Sequence, residues 1–261
     1  ALYSKADLVI NGQGTLHVVG QFKDGIVSKD DLKMAGGMID VTAKDDGIIG
    51  KDMVAIRDAA LTVIAGGDGV KATNDKDTEA GFMALLSGSF NITSGADAFQ
   101  AVTQLMVAGG DYVIKTGDGS LGEDESAKAF KSNGNITFGG GTFSINATDD
   151  AIHSNDTLSL SGGTFDISSG DDGIHSDKAI RLSGGDVTIE KSYEGIESAT
   201  IDISGGNIKV TASDDGINGA GDGDVQLNIT GGHIEVNSNG DGVDINGGIT
   251  MSGGTLLVNG P

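Results

Sequence analysis

A repeat of about 22 residues constrains this chain more than any other feature. Asp149-Asp150-Ala151-Ile152-His153-Ser154 is followed by Asp171-Asp172-Gly173-Ile174-His175-Ser176. The phrase returns as Tyr193-Glu194-Gly195-Ile196-Glu197-Ser198 and as Asp214-Asp215-Gly216-Ile217-Asn218. Its acidic residue steps from 150 to 172, 194 and 215, so the spacings are 22, 22 and 21. A period in this range marks a solenoid, in which each unit buries its apolar face against its neighbours.

One unit contains three short runs of alternating apolar and polar residues: Thr157–Ser161, Thr164–Ile167 and Gly173–Ser176. Alternation with period two is the pattern of a strand. Gly, Ser and Asp separate the runs, and these residues tolerate turn backbones. Three strands and three turns in one period make one coil of a parallel β-helix.

The inward positions should then stack as columns. One column reads Leu16, Ile39, Leu61, Phe90, Tyr112, Phe143, Phe165, Val187, Ile208, Ile234, Leu256. The column two residues on reads Val18, Val41, Val63, Ile92, Ile114, Ile145, Ile167, Ile189, Val210, Val236, Val258. A third runs Ile26, Ile48, Val70, Phe99, Phe130, Ile152, Ile174, Ile196, Ile217, Val243. The columns between are mostly polar, as a pleated strand with one buried face requires. The expected fold is an all-β, right-handed parallel β-helix of about eleven coils, forming a single domain over residues 1–261.

Three insertions interrupt the repeat: Asn74 to Glu79, Leu121 to Ser126 and Gly219 to Asp224. They are expected to leave the coil after the same strand and to wall a groove along one edge. Neither Ala1 to Ala6 nor Asn259 to Pro261 reads as a full cap, so a piece of a longer chain is expected.

The net charge of −22 excludes nucleic acid and anionic lipid as natural partners and calls for neutral partners or cations. With no cysteine, disulfides and thiolate metal sites are excluded. No run approaches the length of a membrane span. A monomer is expected.

The charge is organised. Asp24, Asp46, Asp68, Asp97, Asp150, Asp172, Glu194, Asp215 and Asp241 share one column, and Asp45, Asp149, Asp171 and Asp214 double it. Carboxylates one rung apart, about 5 Å, repel by roughly 0.8 kcal/mol in water and about 3 kcal/mol at an effective dielectric near 20. Such a ladder should raise its own pKa values or bind cations. Ca²⁺ suits it, because it accepts six to eight oxygen ligands in loose geometry. The candidate ligands fall into three groups, and about three ions are expected. The first group is Asp24, Asp45, Asp46 and Asp68. The second is Asp149, Asp150, Asp171, Asp172, Glu194 and Glu197. The third is Asp214, Asp215, Asp241 and Asp244. A turn-capping role, with each Asp accepting backbone N–H groups, is equally open and compatible with binding.

His153 and His175 stand beside Ser154 and Ser176. Neighbours on one strand point to opposite faces, so no Ser-His nucleophile forms, and the histidines are expected on the outer surface. Outward aromatics that could stack on sugar rings are few; Phe22 and Tyr193 are the candidates.

At Asp-Asp-Gly-Ile-His-Ser and the Ser-Gly-Gly rungs the chain resembles the clostridial carbohydrate-binding β-helix proteins, cell-surface proteins of cellulose degraders. These are distant relatives of a pectate-lyase family of the same fold. The resemblance implies calcium on the coil edge, binding of plant cell-wall polysaccharide (cellulose and polygalacturonate, the pectin backbone), and an extracellular or cell-surface location. The first functional reading is a non-catalytic polysaccharide-binding protein. The alternative is a calcium-dependent polysaccharide lyase acting by β-elimination, with Lys131, Lys178, Lys191 and Arg181 as the available bases. A lysine among so many carboxylates has its pKa raised, which opposes base work. A structural or adhesive rod with no sugar site is the third reading.

Overall fold

The computed structural model describes residues 1–118, 126–221 and 223–261. Among these residues the chain forms 29 strands and no helix. Every strand pairs in parallel with a strand one coil away, giving a parallel β-helix of about 11 turns.

Three faces wrap the core. The first contains Thr15–Gly20, Met38–Ala43 and Ala59–Ala65, and continues to Thr255–Asn259. Its register stacks Leu16 on Ile39, Leu61, Phe90, Tyr112, Phe143 and Phe165, and the column continues through Val187 and Ile208 to Ile234 and Leu256. The second face, of three-residue strands such as Ile26–Ser28 and Ile152–Ser154, stacks Ile26 through Phe99 and Phe130 to Val243. The expected inward columns therefore hold along the whole chain. Leu2 adds a rung below Ile26. The third face, visible in the sequence as the run around Thr157–Leu160, carries two more inward ladders. One passes through Leu32, Val54, Met83 and Leu105, and the other through Met34, Ile56, Leu85 and Val107.

Aromatic side chains fill the middle of the core. Phe90, Tyr112, Phe143 and Phe165 stack face to face with centroids 4.5, 4.7 and 4.2 Å apart. Phe99 and Phe130 stack at 5.2 Å on the next face and meet the first column edge-on. Each such contact adds about 0.5–1.5 kcal/mol beyond area burial. The Tyr112 hydroxyl donates to the carbonyl of Gly109 at 2.9 Å, so the one polar tip in the stack is satisfied.

The turn into the second face is glycine-rich because the backbones approach closely. A Cβ on Gly47 would lie 2.5 Å from the Gly69 carbonyl oxygen, and one on Gly173 would lie 2.7 Å from that of Gly195.

The insertions do not share one corner. Residues 74–79 lie between Val70–Ala72 and Phe82–Leu85, and residues 219–224 between Ile217–Gly219 and Gln226–Ile229. Both therefore leave after the second face. The second insertion instead falls between Asp111–Thr116 and Phe130–Ser132, ahead of that face. Phe130 pairs with Phe99 and Ile152, so the extra residues must precede it. The expected common edge is corrected accordingly. Residues 119–125 and 222 of the insertions lie outside the described residues.

Candidate functional site: an acidic corner with built-in cations

The acidic column occupies the turn between the first and second faces. In several rungs one carboxylate oxygen accepts the backbone N–H of the matching residue one rung on. Asp46 Oδ1 accepts from Asp68 N at 2.9 Å, Asp68 Oδ1 from Asp97 N at 3.0 Å, and Asp97 Oδ1 from Lys128 N at 2.9 Å. Asp150 Oδ1 accepts from Asp172 N at 3.0 Å and Asp215 Oδ1 from Asp241 N at 2.7 Å. The capping role is thus realised mainly between coils, although Asp149 Oδ1 also accepts from Asp150 N within its own turn at 2.9 Å. It leaves the second oxygen free for other partners.

Cationic side chains meet many of those second oxygens. The register places Lys71, Gln100, Lys131, His153, His175, Glu197, Asn218 and Asp244 in one outward column three residues beyond the acids. Lys71 Nζ lies 2.5 Å from Asp46 Oδ2 and 3.1 Å from Asp68 Oδ2. Lys131 Nζ lies 3.5 Å from Asp97 Oδ2. His153 Nδ1 meets Asp150 Oδ2 at 2.7 Å, and His175 Nδ1 meets Asp172 Oδ2 at 2.9 Å. The histidines do face outward, but they are largely covered, with side chains 15% and 22% exposed. They belong to the acidic corner and are not ordinary surface histidines.

Lys128 is the residue that sequence reasoning missed. It stands in the acidic column between Asp97 and Asp150, two residues before Phe130, and the register of Phe130 could have placed it. Its Nζ lies 2.7 Å from Asp149 Oδ1 and 2.8 Å from Asp150 Oδ2.

The titration of the corner follows from these contacts. Burial acts to raise Asp150, but the hydrogen bond from His153 and the charge of Lys128 hold it well below the usual carboxylate range. Burial opposes charge on Lys128 and Lys71, yet their Asp partners raise both. His175 is pushed up to about 9: burial lowers it, and Asp172, Asp150 and Glu197 more than compensate. Elsewhere burial moves the acids up, even beside a cation: Asp68 is raised despite Lys71 and Asp172 despite His175. Burial and then Asp172, Asp150 and Asp149 raise Asp171 to about 6. Burial and a hydrogen bond with Glu197 raise Glu194 to about 7.

The three expected ligand groups differ in how completely they are neutralised. In the first, oxygens of Asp24, Asp45 and Asp46 lie within 4.8 Å of one another, while Asp68 is turned to Lys71. Asp24 Oδ1 is buried with no hydrogen-bond partner among the described residues. A Cβ on Gly67 would lie 2.7 and 2.9 Å from the Oδ1 atoms of Asp46 and Asp45, so glycine keeps space open there. In the second, Asp149, Asp150 and Asp171 come together, but Lys128 already sits on two of them. Asp172 joins His175 and Glu197, and Asn218 Nδ2 donates to Glu194 and Glu197 at 2.8 and 3.1 Å. In the third, Asp214 and Asp215 face Gly240, where a Cβ would lie within 2.6 Å of both Oδ1 atoms. Asp241 and Asp244 follow on the next rung. A further trio, Asp7, Asp30 and Asp31, was not anticipated.

Phe22 is 90% exposed beside the first group, and Tyr193 is half exposed between Asp171 and Asp214. The potential bases are mostly engaged: Lys178 pairs with Asp156 at 3.0 Å, and Arg181 Nε lies 3.8 Å from Asp202. Lys191 and Lys115 flank a polar groove lined by Asn146 and Ser168, next to the corner.

A family model described as "Carbohydrate-binding domain-containing protein" matches residues 1–173 and 171–260. A protein of Acetivibrio thermocellus with the same description is 47% identical over 116 residues, which is 44% of this chain and 41% of that protein. The match thus spans less than half the length of the curated relative. No solved structure matches.

Proposed function

Because the chain belongs to the family of carbohydrate-binding domain-containing proteins, we propose that it is a calcium-dependent, non-catalytic binder of plant cell-wall polysaccharide. The polymer, polygalacturonate (pectin) or cellulose, would lie along the acidic corner, outside the cell or at its surface. The observation that carries this reading is the first acidic group. Asp24 Oδ1 is buried with no hydrogen-bond partner among the described residues, and Asp45 and Asp46 converge on the same space, with the exposed Lys23 Nζ no nearer than 3.8 Å to Asp24 and 3.9 Å to Asp45. A buried acceptor left without a hydrogen bond costs about 1–3 kcal/mol, more on a charged group, and an oxygen-coordinated cation would remove that cost. The Asp214 and Asp215 pair beneath Gly240 is the second such cradle.

The chemistry that bound Ca²⁺ supplies is positive charge with open oxygen positions, which lets an acidic polymer approach an acidic protein. The chain's own residues provide the rest. Lys115 and Lys191 offer charge to sugar carboxylates across the neighbouring groove. Phe22 and Tyr193 offer apolar faces for sugar rings, next to the first and the last acidic groups. Of the candidate bases, Lys131, Lys178 and Arg181 stand against Asp97, Asp156 and Asp202 at 3.5, 3.0 and 3.8 Å, which supports binding over β-elimination, since that reaction requires a neutral base.

The test is affinity electrophoresis through a gel that holds polygalacturonate, run with Ca²⁺ and with a chelator. Retardation that requires Ca²⁺, and that weakens in Asp24→Asn, is expected. Unchanged mobility in both gels would end the acidic-polymer reading, and a cleared track behind the band would assign lyase activity instead.

A further inference from the structure

The proposed polysaccharide reading assigns no task to His153 and His175, yet both side chains are largely covered and held by the corner's carboxylates. They occupy consecutive rungs, with ring centroids 4.6 Å apart and planes tilted by 43°. Each Nδ1 lies against a buried carboxylate, Asp150 at 2.7 Å and Asp172 at 2.9 Å. That contact orients both rings and leaves both Nε2 atoms pointing away from the acids. Neither Nε2 makes a hydrogen bond among the described residues. Both approach the same atom, Asp177 Oδ1, at 3.9 and 3.6 Å.

We propose that His153 Nε2, His175 Nε2 and the Asp177 carboxylate form a site for a divalent transition-metal ion of the zinc type. Several features point the same way. The Nε2 to oxygen distances are too long for hydrogen bonds. They are close to the separation of about 3.4 Å between neighbouring ligands of a tetrahedral ion with bonds of about 2.0–2.1 Å. Metal-ligating histidines commonly give their other ring nitrogen to a carboxylate, which is what Asp150 and Asp172 provide. Asp177 follows His175 by two residues on the same strand, and its half-exposed side chain is free to close the remaining few tenths of an ångström. Glu197, on the next rung, brings a further oxygen near His175.

The donor set also selects the ion. Two imidazoles and a carboxylate suit Zn²⁺, Co²⁺, Ni²⁺ or Cu²⁺, whereas Ca²⁺ and Mg²⁺ prefer oxygen alone. The site is therefore chemically distinct from the cradles at Asp24 and Asp214. Three protein ligands leave a fourth position for water or for an oxygen of a bound molecule. The other two histidines make no such arrangement: His17 lies exposed against Asp40, and His233 against Glu235.

The experiment is calorimetric titration of the chelator-treated chain with Zn²⁺, in millimolar Ca²⁺ so that oxygen-only sites are filled. One Zn²⁺ per chain is expected, with affinity reduced about 100-fold or more in His153→Gln and in His175→Gln, and unchanged in the His17→Gln/His233→Gln double variant. Zn²⁺ affinity equal to that of the unaltered chain in either single variant, or no Zn²⁺ binding by the unaltered chain, would overturn the proposal. Should a variant fail to fold, Co²⁺ bound to the unaltered chain decides. Intense visible bands of a four-coordinate centre with nitrogen ligands are expected. The weak spectrum of a six-coordinate, oxygen-only centre would overturn the proposal.

Discussion

At the residue scale, the corner is governed by which carboxylates receive a partner from the chain itself. Lys128 is the clearest case, because it replaces an acid in the acidic column and bridges Asp149 and Asp150. All three side chains are close to nine-tenths buried or more. Removing one member of such a group strands the others, a loss of about 3–5 kcal/mol. Lys128→Met is therefore expected to lower the unfolding free energy read from urea titration by that amount, with part of the loss recovered in millimolar Ca²⁺. A midpoint within experimental error of the parent would mean that water already screens this pair.

At the element scale, stability comes from rung-to-rung stacking, and a single column can be broken anywhere along it. Phe143 lies between Tyr112 and Phe165 and is almost fully buried. Phe143→Ala should cost about 3–5 kcal/mol by transfer and cavity terms, while Phe143→Leu should cost clearly less. The turns are constrained differently. Gly173→Ala would drive a Cβ against the Gly195 carbonyl and the Ile189 side chain, so backbone must move. Loss of amide-exchange protection in the rungs containing residues 174 and 196 is the expected result. Parent-like protection there would show that the corner has slack.

At the scale of the whole molecule, the chain carries a net charge of −22, and along the acidic corner cations are unevenly placed. Lys71, Lys128, Lys131 and two histidines serve the first two-thirds of the column. Asn218 donates to Glu194 and Glu197, and among the described residues none of Glu194, Glu197, Asp214, Asp215, Asp241 and Asp244 forms an ion pair with lysine or arginine. The pH dependence follows. Glu194 and Asp171 have folded pKa values of about 7 and 6, above their ordinary values. Their contribution to stability is fully present below the unfolded pKa and is lost as pH rises through the folded value. His175, raised to about 9, acts with the same sign in a higher window, from about 6.5 up through 9. Asp150 is depressed, so its contribution is lost only in stronger acid. In chelator, the melting temperature should fall from pH 5 to pH 9, and Ca²⁺ should flatten the upper part of that decline. Melts recorded at pH 5, 7 and 9 check this; a flat or rising profile in chelator would contradict it.

The repeat, the inward columns and the position of the acidic ladder were legible in the sequence, for a physical reason. Stacking identical coils makes contact partners recur at a constant spacing, so the periodicity of Phe143, Phe165 and Val187 is itself the tertiary contact list. What the period could not carry was anything that breaks it or crosses it. Lys128 follows an insertion, so its place in the column appears only once Phe130 is paired with Phe99. The histidines share a column with Lys71 and Lys131, and whether they face acids or solvent depends on the angle at which the turn delivers the strand. Asp177 meets both imidazoles only because two rungs bring residues 22 apart side by side. The sequence by itself thus determined the solenoid and its line of negative charge. The tertiary structure alone decided which of those charges the chain pairs with its own lysines and histidines, because that choice rests on distances across rungs and not on spacing along the chain.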